Sequence, residues 1–121
     1  MKAVIKECYS TDVDDLFDYK PDAINGFDFP LRFVIGPKDA LGGECFDVLV
    51  CNLAYFQNKF PPGEVIFGRH LLIVQQYDFN NILDFVAKYV TSLEEDTWDA
   101  LANKLARIGK WEFEDYRPYT V

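Results

Sequence analysis

The chain has 121 residues, a length that suits one domain with a core of its own. Half of the residues are hydrophobic, which excludes a disordered chain, and 20 acids against 12 bases leave a net charge of −8. That balance argues against nucleic acid or an anionic membrane as partner and favours a basic one.

Lys2 to Tyr9 reads as a first strand, with Val4, Ile5 and Cys8 as candidate core groups. Met1 to Lys6 alternates short apolar and charged residues and lacks the apolar run of a secretory signal. Ser10 to Asp18 carries the acids Asp12, Asp14, Asp15 and Asp18 and no base, and Thr11 or Asp12 is placed to cap a short helical turn. Pro21 to Gly26 then leads into the most informative stretch, Phe27 to Cys51. Phe27, Phe29, Leu31, Phe33 and Ile35 fall on every second residue, the period that puts all five on one face of a strand. Gly36-Pro37 stops the run, Gly42-Gly43 opens the next, and Cys45 to Cys51 is rich in β-formers. The spacing predicts a long antiparallel pair joined by a loop at Pro37–Leu41. Cys45 and Cys51 are then roughly 20 Å apart along one strand, too far for a disulfide. With Cys8 the cysteines number three, an odd count, and they read as reduced, mostly buried thiols of a cytoplasmic protein.

Asn52 is placed to cap a short helix over Leu53–Phe60, with Leu53, Phe56 and Phe60 on one side, and Pro61-Pro62-Gly63 breaks it. Val65–Phe67 and Arg69–Gln75 read as a further strand pair or one kinked strand, with Gly68 at the bend. Asp78 caps a helix whose Ile82, Phe85, Val86, Tyr89, Val90 and Leu93 follow the three-and-four spacing of a buried face. A second helix starts near Asp96, carries Trp98, Leu101, Ala102, Leu105 and Ile108 as its stripe, and ends at Gly109. Lys110 to Val121 alternates aromatic and charged residues, as a last strand or an ordered arm would. Strands first and helices after predict one α+β domain over residues 1–121, an antiparallel sheet with helices packed on one face.

Familiar chemistry is hard to place on this chain. The one histidine, His70, lies in an apolar strand and has no spacing that pairs it with Cys51 as base and nucleophile. Three scattered cysteines and one histidine do not make a zinc site, and no glycine-rich phosphate loop is present. Asp12-Val13-Asp14-Asp15 lacks the glycine and glutamate of a calcium loop. The expectation is no catalytic residue, no metal and no cofactor. Two stretches have the composition of contact surface, aromatic anchors beside carboxylates facing a cationic partner. One is the acidic run with Asp14, Asp15 and Asp18; the other holds Glu112, Glu114, Asp115 and Tyr116. A solvated loop and a strand with a wet face are the plainer readings of the same residues.

These residues also carry a resemblance. Asp12-Val13-Asp14-Asp15-Leu16 follows a first strand, and Ile35-Gly36-Pro37 precedes Glu44-Cys45-Phe46-Asp47-Val48-Leu49-Val50-Cys51. Gly68-Arg69-His70-Leu71-Leu72-Ile73-Val74 and Leu105-Ala106-Arg107-Ile108-Gly109-Lys110-Trp111-Glu112-Phe113-Glu114-Asp115-Tyr116 come after, in order. Together they span nearly the whole chain, which resembles the immunity protein 8 family of bacterial polymorphic-toxin and contact-dependent growth inhibition systems. The resemblance implies a non-enzymatic protein that binds a cognate toxin C-terminal domain in the cytoplasm and blocks it. With the charge balance, the expectation is no nucleic acid and no membrane as partner, and a monomer in a one-to-one complex rather than a homo-oligomer. Many such toxins are nucleases, whose basic surface suits an acidic inhibitor. On that reading Asp14, Asp15, Asp18, Glu112, Glu114, Asp115 and Tyr116 are the partner-binding residues. The alternative is a cytoplasmic interaction module unrelated to toxins.

Overall fold

Phe27, Phe29, Leu31, Phe33 and Ile35 are all buried, so the alternating stretch forms the floor of the core. In the computed structural model, which describes residues 1–115, four of them lie on strand β2 (Asp28–Pro37). β2 pairs antiparallel with β3 (Glu44–Cys51), from Asp28 opposite Cys51 to Ile35 opposite Glu44. Phe46, Val48 and Val50 of β3 are buried in the same cluster, as a two-residue period requires. The turn between the strands brings backbone against backbone. A Cβ on Gly36 would meet the Gly42 carbonyl oxygen at 2.0 Å, an approach that only glycine admits.

β1 (Ala3–Tyr9) adds antiparallel to the other edge of β2, with a bulge between Ile5 and Glu7. The bulge shifts the alternation by one residue. Ala3 and Ile5 therefore meet the core before it, and Cys8 meets the core after it. Val4, between Ala3 and Ile5, points to the opposite face, unlike the expectation from sequence.

The far edge of β3 takes two short strands. β4 (Leu71–Ile73) runs parallel to its end, with Leu49 opposite Leu71. β5 (Lys110–Trp111) runs antiparallel beside its start, with Phe46 opposite Trp111. The sheet is thus mostly antiparallel, ordered β1-β2-β3-β4, with β5 also on β3. A parallel pair needs a crossover, and α1 (Leu53–Lys59) lies within it. Buried Asn52 fixes the start of that crossover. Its Oδ1 accepts from the N–H groups of Tyr55 and Phe27 at 3.1 and 3.2 Å, and its Nδ2 donates to the Ala23 carbonyl at 3.0 Å. The apolar side expected of α1 is not buried, and Leu53 is exposed. The strand expected at Val65–Phe67 is also absent: both end residues are exposed and pairing begins only at Leu71. β4 and β5 already occupy that edge of β3, so Val65–Phe67 finds no ladder on it.

α2 (Phe79–Ser92) and α3 (Trp98–Leu105) cover the buried face of the sheet. Asp78 caps α2 by accepting from the N–H groups of Asn80 and Asn81, and Thr97 caps α3 by accepting from Ala100 N–H at 3.2 Å. Phe79, Ile82, Val86 and Val90 of α2 pack with Leu101, Ala102 and Leu105 of α3. The Tyr89 hydroxyl ties the two helices by donating to the Lys104 carbonyl at 3.1 Å. Phe85 departs from the expected stripe. It stands one residue before Val86, about 100° round the helix, and is 67% exposed. The outcome is an α+β fold with one helix-covered face and one open face. No helix among the described residues is long and apolar enough to cross a membrane.

Candidate partner-binding surface

The acidic run leaves β1 at the edge of the sheet. Ser10 Oγ accepts from Asp12 N–H at 3.1 Å, and Asp15 Oδ1 accepts from the N–H groups of Phe17 and Asp18 at 3.1 and 3.2 Å. These side-chain bonds make turns in place of the helical turn that Thr11 or Asp12 was expected to cap. Three contacts pin the loop to the start of α2. Leu16 is buried, Phe17 meets Phe79 edge-on with ring centres 4.9 Å apart, and the Tyr77 hydroxyl donates to the Leu16 carbonyl. Burial, with Tyr19 and Cys8 nearby, pushes the Tyr77 hydroxyl up to about 12. Asp12, Asp14, Asp15 and Asp18 stay exposed on this anchored base.

The second expected group follows β5. Glu112 is bound twice to Cys45: its N–H donates to the Cys45 carbonyl at 3.2 Å and its Oε1 accepts from Cys45 N–H at 2.9 Å. Glu114 forms an ion pair with Arg69, and its N–H donates to the Trp111 carbonyl at 3.0 Å. Asp115 is exposed at a positive φ of 58°. Tyr116 lies outside the described residues. Glu112 and Glu114 thus contribute to the hydrogen bonding of the fold as well as to surface charge.

The two acidic groups do not meet. One follows β1 and the other follows β5, on opposite edges, with β2 and β3 between them. The open face of the sheet joins them. Tyr9, Arg32, Asp47 and Lys110 form one row across it by register. Arg32 holds Asp47 with two parallel bonds, Nε to Oδ1 at 2.8 Å and Nη2 to Oδ2 at 2.9 Å. Asp47, and after it the Tyr9 hydroxyl, keeps the guanidinium protonated.

A further surface was not singled out in the sequence. Val65 and Phe67 are 95% and 98% exposed, and Ile73 and Phe85 are 53% and 67% exposed. Two clefts flank Phe85, of about 230 and 350 Å³, and Leu72 of β4 lines both. His70 lines the smaller one and has a positive φ of 57°. Its Nε2 is 2.9 Å from Arg69 Nε and 3.0 Å from the Ala106 carbonyl. The legible sign of exposed apolar groups here was the run Val65 to Phe67, which follows Pro61-Pro62-Gly63 after one residue, Glu64.

Cys51 is buried opposite Ile73, three residues along from His70, and so is roughly 10 Å from it by strand rise. Burial pushes its thiol up, away from a nucleophilic thiolate. Among the described residues, no three His, Cys, Asp or Glu side chains are grouped to hold a metal ion.

No curated protein and no solved structure matches the chain. The model of one family, immunity protein 8, matches residues 3–116, from the first residue of β1 to just past the Glu112–Asp115 turn. A match of that extent takes in the sheet and the three helices of the described residues and both acidic groups, and the chain belongs to the immunity protein 8 family.

Proposed function

We propose that the chain neutralises a cognate toxin domain by binding it one-to-one in the cytoplasm and covering its active or substrate-binding surface. It transforms no substrate itself. The family match over residues 3–116 is the observation that carries this reading. The net charge of −8 supports a basic partner, since a toxin that cuts nucleic acid must present positive charge to phosphate. A nuclease is therefore the activity that best suits this inhibitor.

The acidic groups have the character of steering charges. Asp14, Asp18 and Asp115 are exposed, with Asp15, Glu112 and Glu114 beside them and Tyr116 next in sequence. Complementary charge raises the rate of encounter more than the strength of the complex. Protection that outlasts toxin entry needs a Kd on the order of nanomolar, about −12 kcal/mol.

Co-expression with the toxin domain encoded beside the chain tests the reading. Growth should be rescued and the two proteins should co-purify at equal stoichiometry. Continued toxicity with the chain well expressed, or turnover of a substrate by the chain alone, would sink it.

A further inference from the structure

Among the described residues β4 pairs with one strand, β3. Leu49 N–H donates to the His70 carbonyl at 3.0 Å, and Val74 N–H donates to the Cys51 carbonyl at 2.9 Å. Bonds on a parallel strand alternate sides, so even-numbered residues face β3 and the peptide groups of Leu71 and Ile73 face outward. Leu71 N–H turns back to the Gly68 carbonyl at 3.1 Å, which leaves the Ile73 peptide as an open edge among the described residues. Proteins usually blunt such an edge with charge, proline or cover. Here it is bordered by exposed Ile73 and Phe85, which line one cleft together.

The clefts on either side of Phe85 differ in charge. The smaller is lined by Arg69, His70 and Arg107 among apolar groups, and by no acid, in a chain where acids outnumber bases 20 to 12. Arg69 is occupied by Glu114, whereas Arg107 is exposed and has no ion pair among the described residues. The larger runs along Ile73, Val74 and Gln75 beneath Phe85, and its one acid, Asp78, is engaged in capping α2. An open strand edge, apolar hollows beside it and an unpaired cation at one end match an extended segment with apolar side chains and a carboxylate.

We propose that the outer edge of β4 with Phe85 is the anchoring site for the cognate toxin. An extended toxin segment adds to the sheet at Ile73, sets apolar side chains on either side of Phe85 and places a carboxylate on Arg107. This rests on the proposed function above and assigns the holding of the complex to a surface away from its steering acids. Buried apolar contacts of this kind govern dissociation, as distant charges govern association.

The test measures binding of the full chain to the purified toxin domain encoded beside it, with variants F85E, I73P and R107E. Phe85 and Ile73 are exposed, and of the backbone hydrogen-bonding groups I73P removes only the outward N–H, so unchanged circular dichroism is expected. F85E and I73P should each weaken binding at least about thirty-fold, mainly through faster dissociation, and R107E about ten-fold. If the chain binds and all three variants stay within about three-fold, the anchoring site is refuted and the function stands. If the free chain is a dimer that F85E separates while toxin binding persists, the edge belongs to a second copy and the proposal fails. If the wild-type chain neither binds nor protects, the proposed function falls and this inference falls with it.

Discussion

Glu112 closes a ring with Cys45: its own N–H donates to the Cys45 carbonyl, and its side chain accepts the Cys45 N–H at 2.9 Å. The carboxylate therefore extends the β5–β3 ladder one step beyond the last residue of β5, Trp111. Removing it leaves the Cys45 N–H without that acceptor. Glu112→Ala should lower stability to urea by about 1 kcal/mol, and Glu112→Gln, which keeps an acceptor oxygen, by less. An alanine variant with an unchanged urea midpoint would make Glu112 a surface charge and nothing more.

The acidic loop hangs on Tyr77. Its hydroxyl bond to the Leu16 carbonyl joins the loop to the residue before the Asp78 cap of α2. Tyr77→Phe should cost about 1 kcal/mol and raise the rate of proteolysis within residues 10–18. Proteolysis at the wild-type rate would show that Leu16 and Phe17 hold the loop without the hydroxyl.

Two glycines of one turn should respond differently to alanine. Gly36 has the Gly42 carbonyl in the space of a Cβ, whereas Gly42 has nothing within 4 Å and a φ of 86°. Gly36→Ala must displace backbone, and should cost about 3 kcal/mol or prevent folding. Gly42→Ala meets only the left-handed penalty of about 1–2 kcal/mol. Equal thermal shifts in the two variants would contradict the close approach seen at Gly36.

Alkaline stability follows from two neutral groups. Burial pushes the Cys8 thiol from 9.0 up to about 12, and burial first among several causes pushes the Tyr77 hydroxyl from 10.0 up to about 12. Above pH 9 the unfolded chain releases these protons before the folded one does. The unfolded state then binds fewer protons, so stability falls as pH rises. It should be level with respect to these groups below pH 9 and decline between pH 9 and 12. Cys8→Ala should flatten the lower part of that decline in melts taken at successive pH values. An unaltered slope would place its cause elsewhere.

Much of this molecule was legible from local order. The two-residue period of Phe27 to Ile35 named a buried strand face, because alternation on a pleated strand needs no knowledge of the partner. Asn52 and Asp78 marked helix starts for a similar reason, since a capping side chain bonds within three residues of itself. The family's motifs likewise run along the chain and match over residues 3–116.

Tertiary structure decided the rest. Periodicity shows which face of an element is apolar, but not which edge of the sheet it will occupy. The parallel placement of β4, the seat of two-residue β5 and the bond between Glu112 and Cys45 all depend on long-range pairing to β3. The exposure of Phe85 was decided the same way, because helix spacing placed it in the buried stripe and only the packing of α2 on the sheet left it outside. Local sequence carries the hydrophobic pattern of each piece; the competition for one strand edge is settled only when the pieces meet.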